Sequence, residues 1–370
     1  MVQQIKPVKG KRIRIGVLAY IADLAGCGTI RVILPSILMN QFNTPHYQFQ
    51  QFFLNHFVKD LVIYNGCSHV IFQRSATDKH VELIKLFKTK IKPLTRASAI
   101  YEVDDLLLDI PKWNYAADFY ANKIQHITEC MKQCDGMIVS SDKLRQVYLR
   151  YNPNINIVPN HLCKFYWAPA GDPPSIKIHD RKKPRIIYPG SSNHFAQKNS
   201  KVPGGDFGTE LINFVRKTTD IYDWHFIGGW PGEITDLKDS GAITHHGWQV
   251  LYNYPGFLKS LEADLAIAPL MKCLFNECKS NIKVLEYSAI GVPGVYTNIH
   301  PYYKCHQRAD TDEEMISKIE QMVKTPDLRV ETWKRDYASV KDQLFWEDNG
   351  NLLDYFNQHM RLFGKEIVLD

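Results

Sequence analysis

The sequence predicts an α/β protein of two lobes, each a parallel sheet layered with helices. Three observations lead there. The chain has 370 residues, a length that as a soft prior holds two domains. Short apolar runs bounded by Gly and Pro alternate with segments of helical period, once in the N-terminal half and again in the C-terminal half. A β-α-β-α order with short links gives a parallel sheet. Between the two series, residues 163–183 carry Pro169, Gly171, Pro173, Pro174 and the basic run Arg181-Lys182-Lys183 with little periodicity, the composition of a linker. The expected division is a first domain over 1–165, a linker over 166–184, a second domain over 185–345, and a last helical region over 346–370.

The first lobe opens with the strand candidate Arg12–Tyr20 (RIRIGVLAY), the segment DLAGCGTIR and a helix expected over Val32–Gln41. Strand, glycine loop, helix is the start of a Rossmann-like unit. Gly26 and Gly28 would let backbone approach a sugar or phosphate closely, or simply make a tight turn. Arg31, just inside the helix, would reach the same anion. His69–Gln73 is a short strand ending in Gln73-Arg74, and Glu82–Lys92 is a basic helix that offers either a polyanion-facing surface or solvated lysines. Ala99–Val103 leads straight into Asp104-Asp105. Paired acids at the end of a strand could take a proton from an acceptor hydroxyl, bind that hydroxyl without moving a proton, or cap the next turn. A helix over Phe119–Cys134, a strand Gly136–Ser140, a helix from Asp142 and a strand Ile155–Pro159 followed by Asn160-His161 complete this series.

The second lobe begins at the strand Arg185–Tyr188, broken by Pro189-Gly190-Ser191-Ser192-Asn193-His194. Such a loop leaves backbone N–H groups for a diphosphate, and serine hydroxyls add bonds. Lys198, Lys201 and Pro203-Gly204-Gly205 read as a mobile insertion. A helix over Phe207–Thr218 and the strand Trp224–Ile227 follow. Trp248 or Tyr252 could stack on a nucleotide base or pack in the core. His245 and His246 point to opposite sides of an extended chain and make no metal pair.

The richest stretch is Phe275–Pro293 (FNECKSNIKVLEYSAIGVP), set between the apolar runs Asp264–Leu270 and Val292–Tyr296. Its spacing predicts one helix, capped by Asn276 or Ser280 and stopped at Gly291. At 100° per residue Lys279, Lys283 and Glu286 fall within roughly 60° of one another. Two ammonium groups and a carboxylate near a helix N-terminus suit a diphosphate and a ribose diol. The bland alternative is a solvated stripe of paired charges. The positions Pro269-Leu270, Lys279-Ser280, Lys283, Glu286 and Gly291-Val292-Pro293 resemble the donor-binding motif of GT-B glycosyltransferases, the family 4-like group in particular. That resemblance implies two Rossmann-like domains with parallel sheets facing a cleft, a last helical region over 346–370 that crosses back to the first domain, and a nucleotide sugar donor, a UDP-sugar first among them. It assigns donor contacts to Gly190, Ser191, His194, Lys279, Ser280, Lys283 and Glu286, with Gly26 and Gly28 facing them from the first lobe. The family pattern has a second Glu eight residues before Glu286, where this chain has Cys278. Glu277 is its neighbour and the candidate replacement, which sets Glu277 beside Asp104 and Asp105 among the candidate catalytic acids.

A second resemblance rests on the segments YEVDDLLLDIP, followed by Trp113-Asn114, and GCGTIRVILP. Both are similar to glycosyltransferases of tailed bacteriophages associated with modification of hydroxymethylated pyrimidines in DNA. It implies DNA as the acceptor, with transfer to a surface glycan or a lipid-linked sugar, a sugar epimerase, or a silent nucleic-acid-binding module as the alternatives. The formal charge of +6 is compatible with a polyanionic partner. No apolar run reaches the ~20 residues of a membrane span, and the polar, basic Met1–Arg14 lacks the features of a signal peptide. The eight cysteines are scattered without CxxC or zinc-finger spacing, which fits reduced thiols. A cytoplasmic protein with no essential metal is expected, in the host cytoplasm if phage-encoded.

Overall fold

The alternation of apolar and amphipathic segments becomes two six-stranded parallel sheets in the computed structural model, which describes residues 3–6, 9–24, 26–42, 44–54, 61–196 and 205–368. Strand β1 is Gln3–Ile5. The first sheet then takes β2 (Ile13–Tyr20), β3 (Tyr47–Leu54), β4 (Cys67–Gln73), β5 (Ser98–Val103), β6 (Gly136–Val139) and β7 (Ile155–Ile157), in the order β3-β2-β4-β5-β6-β7. The second takes β8 (Arg185–Gly190), β9 (Asp223–Gly228), β10 (Thr244–His246), β11 (Leu265–Ala268), β12 (Gly294–Thr297) and β13 (Arg308–Ala309), in the order β10-β9-β8-β11-β12-β13. β14 (Lys365–Ile367) pairs in parallel with β1, tying the last helical region to the first lobe. Each large sheet is buried on both faces, which is why its strands read as near-continuous apolar runs. Leu18, Val70, Tyr101 and Met137 pack on one face of the first sheet, and Ile15, Val17, Ile71 and Ile100 on the other. The second sheet is sandwiched in the same way.

Both orders place a reversal of winding next to the first strand of the lobe, between β2 and β4 and between β8 and β11. Ligands of open parallel sheets bind outside the carboxyl ends of the strands at such a point. The helix Asn351–Arg361 covers the first sheet, with Leu352, Tyr355, Phe356 and Met360 buried against it. The chain therefore crosses between lobes twice. The crossings touch, with Leu162 and Phe345 forming a parallel bridge and Trp346 N–H donating to Leu162 O at 2.9 Å.

Several expected elements are corrected. Gly26–Gly28 is already helical and leads through a π-helical turn, Thr29–Ile33, into Leu34–Met39, so the two glycines sit in a first helical turn and not in a loop. The basic helix starts at Asp78, where the Thr77 hydroxyl accepts from His80 N–H, and turns π-helical over Phe87–Ile91. The helix expected over Phe119–Cys134 is two, Ala117–Ala121 and Ile124–Gln133. The helix expected from Phe275 is also two, Leu274–Glu277 and Ile282–Ile290. The break falls at Cys278–Asn281 because that stretch is bonded to the other lobe. Ser141 Oγ donates to Cys278 O at 2.9 Å and Asn160 Nδ2 to Ser280 Oγ at 2.8 Å, while Asn281 pairs with Gln343, whose Nε2 also donates to Asn160 O at 2.9 Å. Neither proposed cap acts as one, since Asn276 donates to Asp206 and Ser280 accepts from Asn160. Gly291 does end the helix in the left-handed region, φ 75°. Strand β3 went unread in the sequence, although Tyr47 and Phe49 alternate with Gln48 and Gln50. Lys198, Lys201 and Pro203-Gly204 lie outside the described residues.

Candidate active site

At the carboxyl edge of the second sheet, Gly190 ends β8 and Gly228 ends β9. Gly228 has φ 90°, and a Cβ there would stand 2.6 Å from Gly190 O, so no other residue fits without a shift. Gly229 N–H donates to Gly190 O at 2.7 Å and draws the two turns together. Beside them starts the helix Ile282–Ile290, its first turn without a side-chain cap and hence with N–H groups available to an anion. Lys283 and Glu286 share one face of it. Glu286 is 7% exposed, and its Oε2 accepts from Lys283 Nζ at 2.9 Å and from Tyr254 OH at 3.2 Å.

Two joined cavities lie between the lobes at this edge. The larger, about 510 Å³, is mostly apolar and is lined by Leu24, Thr29 and Ile30 from the first lobe and by Gly190, Ser191, Trp248, Tyr252 and Glu286 from the second. Trp248 and Tyr252 are 66% and 64% exposed, so they are wall residues of the cavity and not core. The smaller, about 190 Å³, gathers most of the charged groups, with Cys27, Arg31, Asp104, Asp105 and Asn160 facing Lys279 and Ser280. Gly26, His194 and Lys283 line both and mark their junction.

His194 Nδ1 lies 2.6 Å from Asp206 Oδ2. A carboxylate there fixes the tautomer with Nδ1 protonated and leaves Nε2 as the basic nitrogen. Burial, with Lys279 and Lys283 nearby, lowers the His194 pKa despite Asp206, so the ring is neutral at physiological pH. Across the junction, Arg74 reaches both acids: Nε donates to Asp104 Oδ1 at 2.7 Å and Nη2 to Asp105 Oδ2 at 2.5 Å. Burial pushes the Asp105 carboxyl up, but Arg74 and Lys279 more than offset it, and its pKa is lowered. Arg31 lines the smaller cavity while its Nε donates to Glu102 Oε1 at 2.8 Å and its Nη1 to Val158 O and Asn160 Oδ1.

The fold thus brings together Gly26, Gly190, Ser191, His194, Lys279, Ser280, Lys283, Glu286, Asp104 and Asp105. Gly28 does not join them; a Cβ there would meet Asp23 O at 1.7 Å, so it serves close packing at the helix start. Glu277 does not either, since it lies outside both cavity walls and pairs with Lys143 of the first lobe at 2.9 Å. Cys278 is buried among first-lobe core residues. Sequence reasoning missed the roles of Arg74, Asp206 and Tyr254. Arg74 left a signal, being polar and charged at a strand's carboxyl end just as Asp104 is; Asp206 and Tyr254 lie in segments whose approach to the site depends on the tertiary fold. Among the described residues, no group of three or more His, Cys, Asp or Glu side chains could hold a metal ion, and no helix is long and apolar enough to cross a membrane.

No sequence family matches the chain, and no curated protein matches it in sequence. Solved structures do match in fold. The N-terminal domain of a trehalose-6-phosphate phosphatase from Candida albicans superposes with TM-score 0.56 at 10% identity, over 95% of this chain and 99% of that one. An O-GlcNAc transferase from Thermobaculum terrenum gives 0.54 at 12% identity, over 97% of this chain and 70% of that one. A candidate UDP-N-acetylglucosamine 2-epimerase from Listeria monocytogenes gives 0.52 at 9% identity, over 97% and 100%. The fold is GT-B, two Rossmann-like domains with parallel sheets.

Proposed function

We propose that the protein is a glycosyltransferase that moves a sugar from a UDP-sugar to a hydroxyl. One observation carries the reading: Lys279, Lys283, Glu286 and the Gly190-Ser191 turn converge on two joined cavities walled by both lobes. In this reading the nucleoside lies in the larger cavity against Trp248 or Tyr252, with Glu286 on the ribose. The diphosphate lies at the junction, where two lysines and the helix N-terminus stabilise charge growing on the leaving group. The sugar enters the smaller cavity. Lysines and helix amides can do this work without a divalent cation. For the acceptor we propose the hydroxymethyl group of a modified pyrimidine in phage DNA, on the strength of the YEVDDLLLDIP and GCGTIRVILP segments and the mildly basic charge. The base would leave the duplex to reach the cleft. We propose the domain boundaries given above on the same footing, with the first lobe as the acceptor side. Incubation with labelled UDP-sugars and hydroxymethylcytosine DNA, read by nucleoside mass spectrometry, tests both parts. A glycosylated nucleoside is expected. Sugar transfer to a small free alcohol with none to DNA would remove the acceptor assignment alone.

The likeness to a candidate epimerase favours a second reading, a UDP-sugar epimerase on the same fold. An epimerase converts the donor sugar with no acceptor present, whereas a transferase leaves it unconverted, so the same incubation without DNA separates the two.

A further inference from the structure

The smaller cavity has one feature that donor binding in the second lobe leaves unexplained. Arg74 is a non-glycine residue at φ 44°, in the left-handed region that L side chains rarely adopt. Such strain persists only where the surroundings over-determine it, and it gathers at functional sites. Here the surroundings do so. Arg74 N–H donates to Glu102 O at 2.9 Å, which pins the turn to the end of β5. The side chain, 16% exposed, then reaches over the strand ends to Asp104 and Asp105. The aspartate backbone is fixed as well: Ser140 Oγ donates to Asp104 O and Tyr148 OH to Asp105 O, each at 2.9 Å.

We propose that Arg74 is a positioning residue, which holds Asp104 and Asp105 as an oriented pair that reads the hydroxyls of the donor's sugar. The proposal rests on the functional reading above. Three observations lead to it. Arg74 itself does not line the cavity, while both aspartates do. They are the carboxylates of that wall among the described residues, since Glu277 is taken by Lys143 and Cys278 is buried in the first lobe. A guanidinium fork fills part of each carboxylate's bonding capacity from behind and leaves the remaining lone pairs to accept from hydroxyls in front. The pair faces Lys279 across the cavity, so a neutral polyol joined to a diphosphate satisfies both sides, and a sugar bearing its own anionic group beside the aspartates does not.

The test uses the full chain. Arg74→Gly removes the guanidinium while suiting the left-handed backbone, and Arg74→Lys keeps the charge without the fork. Binding of UDP and of UDP-glucose or UDP-N-acetylglucosamine is measured by calorimetry, and the Asp105 carboxyl is followed by carbon NMR against pH, assigned with Asp105→Asn. In Arg74→Gly, UDP affinity should stay within about twofold, whereas the preferred UDP-sugar should weaken about tenfold or more, as expected for lost charge-assisted hydrogen bonds. Arg74→Lys should recover part of that loss. The Asp105 titration should move up by a unit or more in Arg74→Gly. Equal loss of UDP and UDP-sugar, or an unmoved carboxyl titration, overturns the proposal. Failure of the unaltered protein to bind UDP at all overturns the functional reading and the sugar-reading part of this proposal with it, while the carboxyl titration still decides whether Arg74 holds the pair.

Discussion

At the scale of single residues, the site depends on where a few charges are anchored. Lys283 and Glu286 pair with each other at 2.9 Å, so each would exchange that bond for one to ligand or share it. Lys283→Met should weaken UDP binding roughly 10- to 100-fold, the range for a lost charge-assisted bond, and Glu286→Ala should weaken UDP more than it weakens inorganic diphosphate. Calorimetry with both probes reads this directly; equal effects on the two would remove Glu286 from the ribose. A different residue governs stability against pH. Asp336 is 2% exposed, with Oδ1 accepting from His306 N–H at 2.7 Å and Oδ2 unpaired. Burial raises its pKa to about 7. A carboxyl whose folded pKa is raised stabilises fully below its unfolded value, near 4, and loses that contribution as pH rises through about 7. Asp336→Asn should therefore raise the stability at pH 8 by no more than about 4 kcal/mol, seen as a higher thermal midpoint, and leave that midpoint unchanged near pH 4. Equal gains at both pH values would show that ionisation is not the cause.

Elements show which parts of the chain were legible beforehand. The strand ends, the Gly190-Ser191 turn and the Lys283/Glu286 face could be read because period and end signals are local. Lys279 was placed on the same helix by counting 100° per residue, yet it precedes that helix by three residues. Its position in the cavity comes instead from the bonds that Ser141, Asn160 and Gln343 make to the break. No local rule reports bonds from residues 62 to 137 positions away. The same holds for Glu277, whose partner Lys143 belongs to the other lobe, and for Arg31, whose partner Glu102 is on β5. The Gly228 turn makes an element-scale prediction. Gly228→Ala forces a Cβ to 2.6 Å from Gly190 O in a strained φ, a cost of roughly 1–3 kcal/mol. It should displace the Gly190 turn and reduce UDP affinity together with the thermal midpoint. A variant that loses neither would show that the two turns are not held together this way.

At the scale of the whole molecule, the two lobes are not independent bodies laid side by side. Phe275 and Cys278 of the second lobe pack into the first-lobe core, and Leu162 packs into the second. Trp346, fully buried, anchors the return of the chain to the first sheet beside Tyr355 and His161. Trp346→Ala should cost about 3–5 kcal/mol, seen as a lowered urea midpoint with the loss confined to first-lobe probes if the lobes unfold in turn. Cys278 offers a reporter of lobe separation, since burial pushes its thiol up to about 12 and keeps it unreactive while the lobes are docked. The bridge between Leu162 and Phe345 bears on how that separation proceeds. Both connecting strands are bonded to each other at one place, so a nick anywhere in 168–184 is expected to leave the halves joined through the other crossing.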